Sequence, residues 1–358
     1  VNRAILLALL LGLGPARAAK PDPVVMSFAT VGDSRADPES AETRQDKAYL
    51  QNTRALARIL REIQAAHPAA LFFNGDMIMG YGADRAMVYR QYAYWRGMVA
   101  GLMETGTYVV PVSGNHEMQH KSVDAQGKTT KTATVENEQL WRENMGDLIL
   151  DLDRWKAVTG TQASAFEIDN APAPDGPDGV QTSQSQLTYS FDVGRSHFAV
   201  IDTDPVGNDG HGPVHWLAED FAKARARGAT RFFAFGHKPA YTYYYKDGIE
   251  KDGMDIYPDH AAAFWAVMER YNAAYFCGHQ HIFNVQQPAL AQGGKAWQVM
   301  VGSGGSPFSA KAGDSRNPHD RMYAWALVRI HASGKVRVEI SGFDEHYGKT
   351  RRLKTLEF

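Results

Sequence analysis

The stretch VVMSFATVGDSR, residues 24–35, governs how the rest of the chain is read. Residues 24–31 are mostly apolar or small β-formers, as in a strand buried on both faces, and then Gly32, Asp33, Ser34 and Arg35 arrive together. The pattern recurs in FFNGDM (72–77), VVPVSGNHE (109–117), RFFAFGHK (231–238) and AAYFCGHQH (273–281). In each block a glycine stands directly before the first acid, asparagine or histidine of the exit. Glycine tolerates the backbone angles of a sharp exit and lets the next side chain project from the strand end. Such exits, placed along one edge of a sheet, gather two acids, an amide and several imidazoles in the crevice where α/β sheets bind ligands.

Carboxylate, imidazole and carboxamide oxygen are hard to borderline ligands that suit Zn, Fe or Mn without a thiolate. Polar groups crowded in a crevice are costly unless something pairs them, and a divalent cation does so. Metal binding is the economical reading of these blocks.

Outward from residue 24, short apolar runs alternate with segments of helical period, which argues for an α/β architecture. Strands are expected over 24–31, 70–74, 108–112, 188–193, 197–202, 231–235, 273–277, 297–301 and 324–330. Helices are expected over 46–66, 84–103, 135–144, 213–227 and 260–271. Residues 161–187, rich in Ala, Pro, Gly, Asp, Ser and Gln, read as an irregular surface insertion. The tetrapeptide GDSR recurs at 313–316 without a strand before it, so four residues alone carry little.

The chain has 358 residues, 44% of them hydrophobic, enough for a substantial core. Its formal charge is −2 and it has no dense basic run, which speaks against a nucleic-acid polymer as partner. Arg3, the apolar run 4–13 and the small-x-small pattern Ala16-Arg17-Ala18 read as a secretory signal over residues 1–18. That run is well short of the roughly 20 residues needed to span a bilayer. The expectation is therefore a periplasmic or secreted protein with no membrane span after signal removal. Residues 19–358 would form a single domain with an irregular insertion around 117–187. The one cysteine, Cys277, allows no internal disulfide, so packing must hold the domain.

In this order the blocks GD, GD, GNH followed by E, GH and GHxH resemble the calcineurin-like metallophosphoesterases, a family that includes purple acid phosphatases and many exported bacterial phosphatases. The resemblance runs from about residue 24 to residue 305. It implies a four-layer αββα sandwich of two mixed β-sheets flanked by helices. It also implies hydrolysis of phosphomonoesters or phosphodiesters by a dinuclear centre of divalent or trivalent ions (Zn, Fe, Mn or a mixture) that activates a water. By the same resemblance Asp33 and His281 would bind a first metal, Asn115, His237 and His279 a second, and Asp76 would bridge them. His116 would be the non-ligand imidazole that meets substrate and protonates the leaving group. Paired ions roughly 3.5–4 Å apart polarise a phosphoryl group and stabilise in-line displacement, so no serine or cysteine nucleophile is required.

The chain departs from the family at two places. Where much of the family has a ligating histidine two residues after the first acid, this chain has Arg35; where purple acid phosphatases have a tyrosine three residues after the bridging acid, it has Met79, with Tyr81 two residues on. Arginine stays protonated and cannot ligate, but its planar fork suits a phosphate or a carboxylate. Three readings stay open: the first site holds its ion with fewer protein ligands, Arg35 clamps substrate phosphate as a catalytic and binding residue, or Arg35 occupies the first site and leaves one metal. Pairing with Asp37 or Glu39 is the structural alternative.

Other polar segments invite weaker readings. Asp202 to Asp204 read as turn formers, and His211 and His215 as substrate contacts or the lead into a helix whose Trp216 and Leu217 face the core. Residues 241–246 (YTYYYK) read as a half-buried loop or an aromatic rim, and GSGGSP (302–307) as a turn near the site. Cys277 reads as packing. Two other functions compete: a phosphate-ligand binding protein, non-catalytic or mononuclear, on the same fold, and a GDS-type serine esterase using Ser34. The esterase needs an Asp-x-x-His block, and none of the 13 histidines has Asp three residues before it. The expected partner is a small phosphorylated substrate; no oligomeric state follows from the residues.

Overall fold

The structure is a computed structural model that describes residues 22–37, 48–82, 84–246, 248, 250–311 and 319–358. The signal-like residues 1–18, the second GDSR, Glu39 and residues 46–47, where the first helix was expected to start, lie outside the described residues.

The first half of the chain alternates strand and helix: β1 (Val24–Val31), α1 (Thr53–Ala66), β2 (Ala70–Asn74), α2 (Arg85–Glu104) and β3 (Tyr108–Val112). A short α3 (Asn115–Met118) leads into the hairpin β4 (Gln119–Val123) and β5 (Thr129–Ala133), then α4 (Val135–Met145) and α5 (Leu152–Thr159). Next come β6 (Tyr189–Val193), β7 (Ser196–Val200), α6 (Val214–Ala226), β8 (Arg231–Phe235), α7 (Pro258–Tyr271), β9 (Ala274–Cys277), β10 (Phe283–Gln286) and β11 (Trp297–Val301). The chain closes with β12 (Met322–His331), β13 (Val336–Asp344) and β14 (Arg351–Glu357).

Two six-stranded mixed sheets result, in the orders β14-β13-β12-β1-β2-β3 and β10-β11-β9-β8-β7-β6. In the first, β1, β2 and β3 are parallel; in the second, β7, β8, β9 and β11 are. The central strands are apolar along their whole length because both faces are covered. Phe233 and Phe235 of β8, Phe276 of β9 and Val299 of β11 point into the core shared with the first sheet. Phe232, Ala234, Tyr275, Cys277 and Met300 alternate with them and join Leu217, Phe221, Phe264 and Met268 of α6 and α7 in a second core. Phe28 of β1 stands edge-on to Phe72, Phe198, Phe233, Phe235 and Phe276, with centroids 5.3 to 5.8 Å away. On the outer side of the first sheet, α1 presents Leu56, Ile59, Leu60 and Ile63 at helical spacing. This is the four-layer αββα sandwich that the resemblance implied.

Two expectations are corrected. The strand exits do not share one sheet edge: β1, β2 and β3 supply three from the first sheet, β8 and β9 two from the second. The C-terminal ends of both parallel sets converge across the interface, so the crevice lies between sheets. Nor is 117–187 irregular throughout, since it carries the β4–β5 hairpin, α4 and α5, and only 161–187 lacks regular elements. Strands β10, β13 and β14 were also not expected. Val336, Val338 and Ile340 alternate with polar residues as a strand should, whereas edge strand β14 (RRLKTLE) is charged, which suits an exposed edge and hides it from an apolar search. Among the described residues no helix is long and apolar enough to cross a membrane.

Candidate metal centre

At three of the five exits the chain turns sharply on the polar residue itself. Asp33, Asp76 and His279 have φ of 59°, 52° and 69°, a region that non-glycine residues rarely enter. The glycine before Asp33 or His279 serves close approach instead. A Cβ on Gly278 would lie 2.2 Å from Asp33 Oδ2. Of the five exit glycines, Gly75 alone, at φ 80°, needs the left-handed region itself.

Four acceptor atoms meet at what would be the second metal position. Asn115 Oδ1 lies 2.9 Å from His237 Nε2 and 2.8 Å from His279 Nδ1, and those two nitrogens are 3.1 Å apart. Asp76 Oδ1 is 3.2 Å from His237 Nε2. The tautomers follow from the other ring nitrogens: His237 Nδ1 faces the Asn74 carbonyl at 2.8 Å, and His279 Nε2 faces Asp252 Oδ1 at 3.2 Å. Both partners only accept, so those nitrogens carry the protons and the inward ones present lone pairs. Asn115 Nδ2 donates to Tyr81 Oη, which points its carbonyl oxygen inward. Lone pairs at these distances repel unless a cation lies among them. The donor set fits a divalent metal.

The first group is different. Asp33, Asp76 and His281 each offer one atom within 4.8 Å of the others. His281 Nδ1 faces the Pro307 carbonyl at 2.5 Å, leaving Nε2 as an acceptor, and burial followed by the Arg35 charge pushes this imidazole down to about 3. Arg35 lies among them: Nε is 3.5 Å from Asp76 Oδ2, Nη2 is 3.5 Å from His281 Nε2, and Nη1 is 3.8 Å from Met79 Sδ. Burial and the neighbouring Asp76 charge raise Asp33 well above the ordinary carboxylate range. Burial would raise Asp76 too, but His116, His237 and Arg35 outweigh it and hold the carboxyl well below that range.

His116 is buried beside this group. Its Nδ1 meets the Met79 carbonyl at 2.5 Å, its ring lies 3.8 Å from that of Tyr81, and Nε2 faces Asp76 Oδ2 at 3.7 Å. Burial, then Arg35, keeps it well below the usual imidazole value.

The supporting shell was largely invisible in the sequence. Glu117, seen only as the end of a block, accepts N–H bonds from Asp76, Met77, Ile78 and Gly114 at 2.8 to 3.1 Å and so clamps the second and third exits together. Its spacing after Gly114 is that of a capping box, the signal that could have found it. Asp202 and Asp204 are more than turn formers. Ser113 Oγ donates to Asp202 at 3.0 Å, while Gln119 Nε2 and Lys238 Nζ donate to Asp204 at 3.0 and 2.6 Å, bracing the segment that carries Asn115 and His116. The GSGGSP turn lies at the site as expected: Ser306 N donates to Asp33 O and Ser306 Oγ to Arg35 O. Tyr81 does not supply the missing ligand of the first group, because its hydroxyl serves Asn115 and Lys131 Nζ, the latter at 3.2 Å.

Other candidates fall away from the centre. Ser34 is buried with its hydroxyl on Gln51, 3.1 Å away, which leaves it no base and removes the esterase reading. His211 packs against the rings of Tyr257 and His260, and His215 lies in the first turn of α6 with its N–H on Asp178. Trp216 and Leu217 are buried as expected. Tyr241 packs on Trp265, and Gln280 ties down the N–H groups of Tyr243 and Tyr244, so this segment is a half-buried loop. Cys277 is buried packing.

The sequence matches the family described as calcineurin-like phosphoesterase over residues 26–283. No curated protein matches it. The fold is similar to that of a purple acid phosphatase from yellow lupin (Lupinus luteus) seeds, with a TM-score of 0.59 at 13% identity over 94% of this chain and 54% of that one. The chain thus spans about half the length of the lupin protein. A dimetal phosphatase from Danio rerio aligns at 12% identity over 94% of this chain and 99% of that one, with a TM-score of 0.48.

Proposed function

Because the chain belongs to the calcineurin-like phosphoesterases, we propose that it is a metal-dependent phosphoric ester hydrolase that cleaves a small phosphomonoester or phosphodiester at the centre built by Asp33, Asp76, Asn115, His237, His279 and His281. The observation that carries this reading is the convergence of four proton-free acceptors, Asp76 Oδ1, Asn115 Oδ1, His237 Nε2 and His279 Nδ1. A divalent or trivalent ion held there, Zn, Fe or Mn by the donor chemistry, would supply Lewis acidity toward a phosphoryl oxygen and a water.

The chain's own residues do the rest. Asn74 and Asp252 hold the imidazoles of His237 and His279 in the tautomers that face inward. Arg35 offers a permanent positive charge to the phosphoryl oxygens. His116 donates its Nδ1–H to the Met79 carbonyl and so keeps a proton-free Nε2 toward Asp76 and the reacting side, where it can accept a proton as a base and not donate one to the leaving oxygen as the resemblance implied. Signal-like residues 1–18 support a periplasmic or secreted enzyme, and the low net charge supports a small substrate over a nucleic-acid polymer.

The test is hydrolysis of an aryl phosphate monoester and an aryl phosphate diester by purified protein, before and after chelation and metal return. Activity should vanish with the metal and come back with it. Asp76→Ala, Asn115→Ala and His279→Ala should lose activity and metal together. Hydrolysis that survives in a metal-free Asn115→Ala protein would overturn the proposal.

A further inference from the structure

We infer that Arg35 is the resident cation of the first donor group, so that this centre takes one metal ion, held by Asp76, Asn115, His237 and His279. The inference rests on the metal-centre reading above and changes its stoichiometry. It starts from the contrast between the two groups. Both are built of carboxylate oxygens and imidazole lone pairs. Among the described residues no lysine or arginine donates to the four atoms of the second group, whereas the guanidinium already reaches two residues of the first, Asp76 and His281.

Three features make this more than a passing contact. Arg35 is fastened on both sides of its backbone: its N–H reaches the Asp76 carbonyl at 3.3 Å, Ser306 Oγ donates to its carbonyl at 3.0 Å, and it bridges to Gln51. Its side chain is only 12% exposed, so the charge is turned toward Asp76 and not toward water. The neighbour on the far side is Met79, whose thioether meets Nη1. The two positions at which the chain departs from the ligand pattern are therefore in contact, one as a cation and the other as a neutral, soft acceptor.

The charges agree. Asp33 and Asp76 are both buried, and a guanidinium with one dication already outweighs two carboxylates. A second dication would sit against a charge that cannot be neutralised by proton loss, since arginine keeps its proton. Of the five N–H donors, those on Asp76, His281 and Met79 account for three. One remains on each terminal nitrogen, a pair suited to two oxygens of a phosphoryl group.

Metal content per chain, by elemental mass spectrometry after loading with excess Mn and gel filtration, tests this directly. Electron paramagnetic resonance provides a second readout. Wild type should hold one ion with the signal of isolated Mn. Arg35→Ala, which leaves Asp33, Asp76 and His281 free, should hold two and show a spin-coupled pair, a gain of metal on removing a side chain. Arg35→Lys, which keeps the cation, should stay at one and also controls for folding. Two ions in wild type would overturn the inference and leave the phosphoesterase reading intact, as would a single ion in a folded Arg35→Ala protein for the claim that Arg35 excludes the second. A wild type that binds no ion and hydrolyses neither ester would overturn both.

Discussion

Asn115 and His116 are adjacent in sequence but point to different partners, and the difference lies in what holds the far side of each side chain. Asn115 is turned by Tyr81 so that its oxygen joins two imidazoles, while His116 is turned by the Met79 carbonyl so that Nε2 faces Asp76 at 3.7 Å, apart from the four converging acceptors. His116→Ala should therefore keep its metal and lose turnover by roughly 10²- to 10⁴-fold, the usual worth of a positioned acid or base. Steady-state kinetics beside metal analysis would show it; loss of the ion in this variant would move His116 among the ligands.

At the scale of elements, the β4–β5 hairpin is the part least explained by packing. It is exposed along most of its length, and its register sets Lys121 directly opposite Lys131, a like-charge pair that costs stability. Lys131 nonetheless lies over the Tyr81 ring, 4.4 Å from its centroid, at the edge of the metal centre. Such an arrangement places positive charge where the proposed phosphoryl substrate would arrive. Lys131→Thr should change folding stability by no more than about 0.5 kcal/mol. It should raise KM for an aryl phosphate roughly fivefold, the order of one partly exposed ion pair. An unchanged KM in low salt would assign the hairpin no part in substrate capture.

Across the whole molecule, stability and site are separate matters. The cores hold the sheets, but one ionic cluster joins the second sheet to α6. His197, fully buried, lies 2.6 Å from both Asp192 and Asp220, with Arg227 beyond on Asp192 at 2.8 Å. Burial alone would lower His197, but its bonds to Asp192 and Asp220 prevail and raise it. Its contribution is thus complete below the ordinary histidine value of about 6.5 and is lost as pH rises through the higher folded value. Asp192 works in the other direction: burial would raise it, His197 and Arg227 hold it low, and its share is lost as pH falls through that low value. Denaturant midpoints should therefore decline from about pH 6.5 upward in wild type, and the decline should flatten in His197→Gln. A wild-type midpoint that stays level over that range would mean the imidazolium is not there.

The order of blocks from Asp33 to His281 was enough to give the donor types and the class of fold, because a strand buried on both faces must read as an apolar run and polar side chains gather where that run stops. Periodicity likewise located the central strands, while charged β14 and the site-lining hairpin escaped it, since neither buries a continuous face. What no local pattern contains is which exits face one another across two sheets, that Glu117 clamps two of them, or that Arg35 comes to rest between Asp76 and His281. Those are contacts between residues 40 to 246 positions apart, set by how the sheets pack and not by the residues beside them in the chain. The sequence by itself made Arg35 a question, and the tertiary structure placed its charge among the acids of the first group.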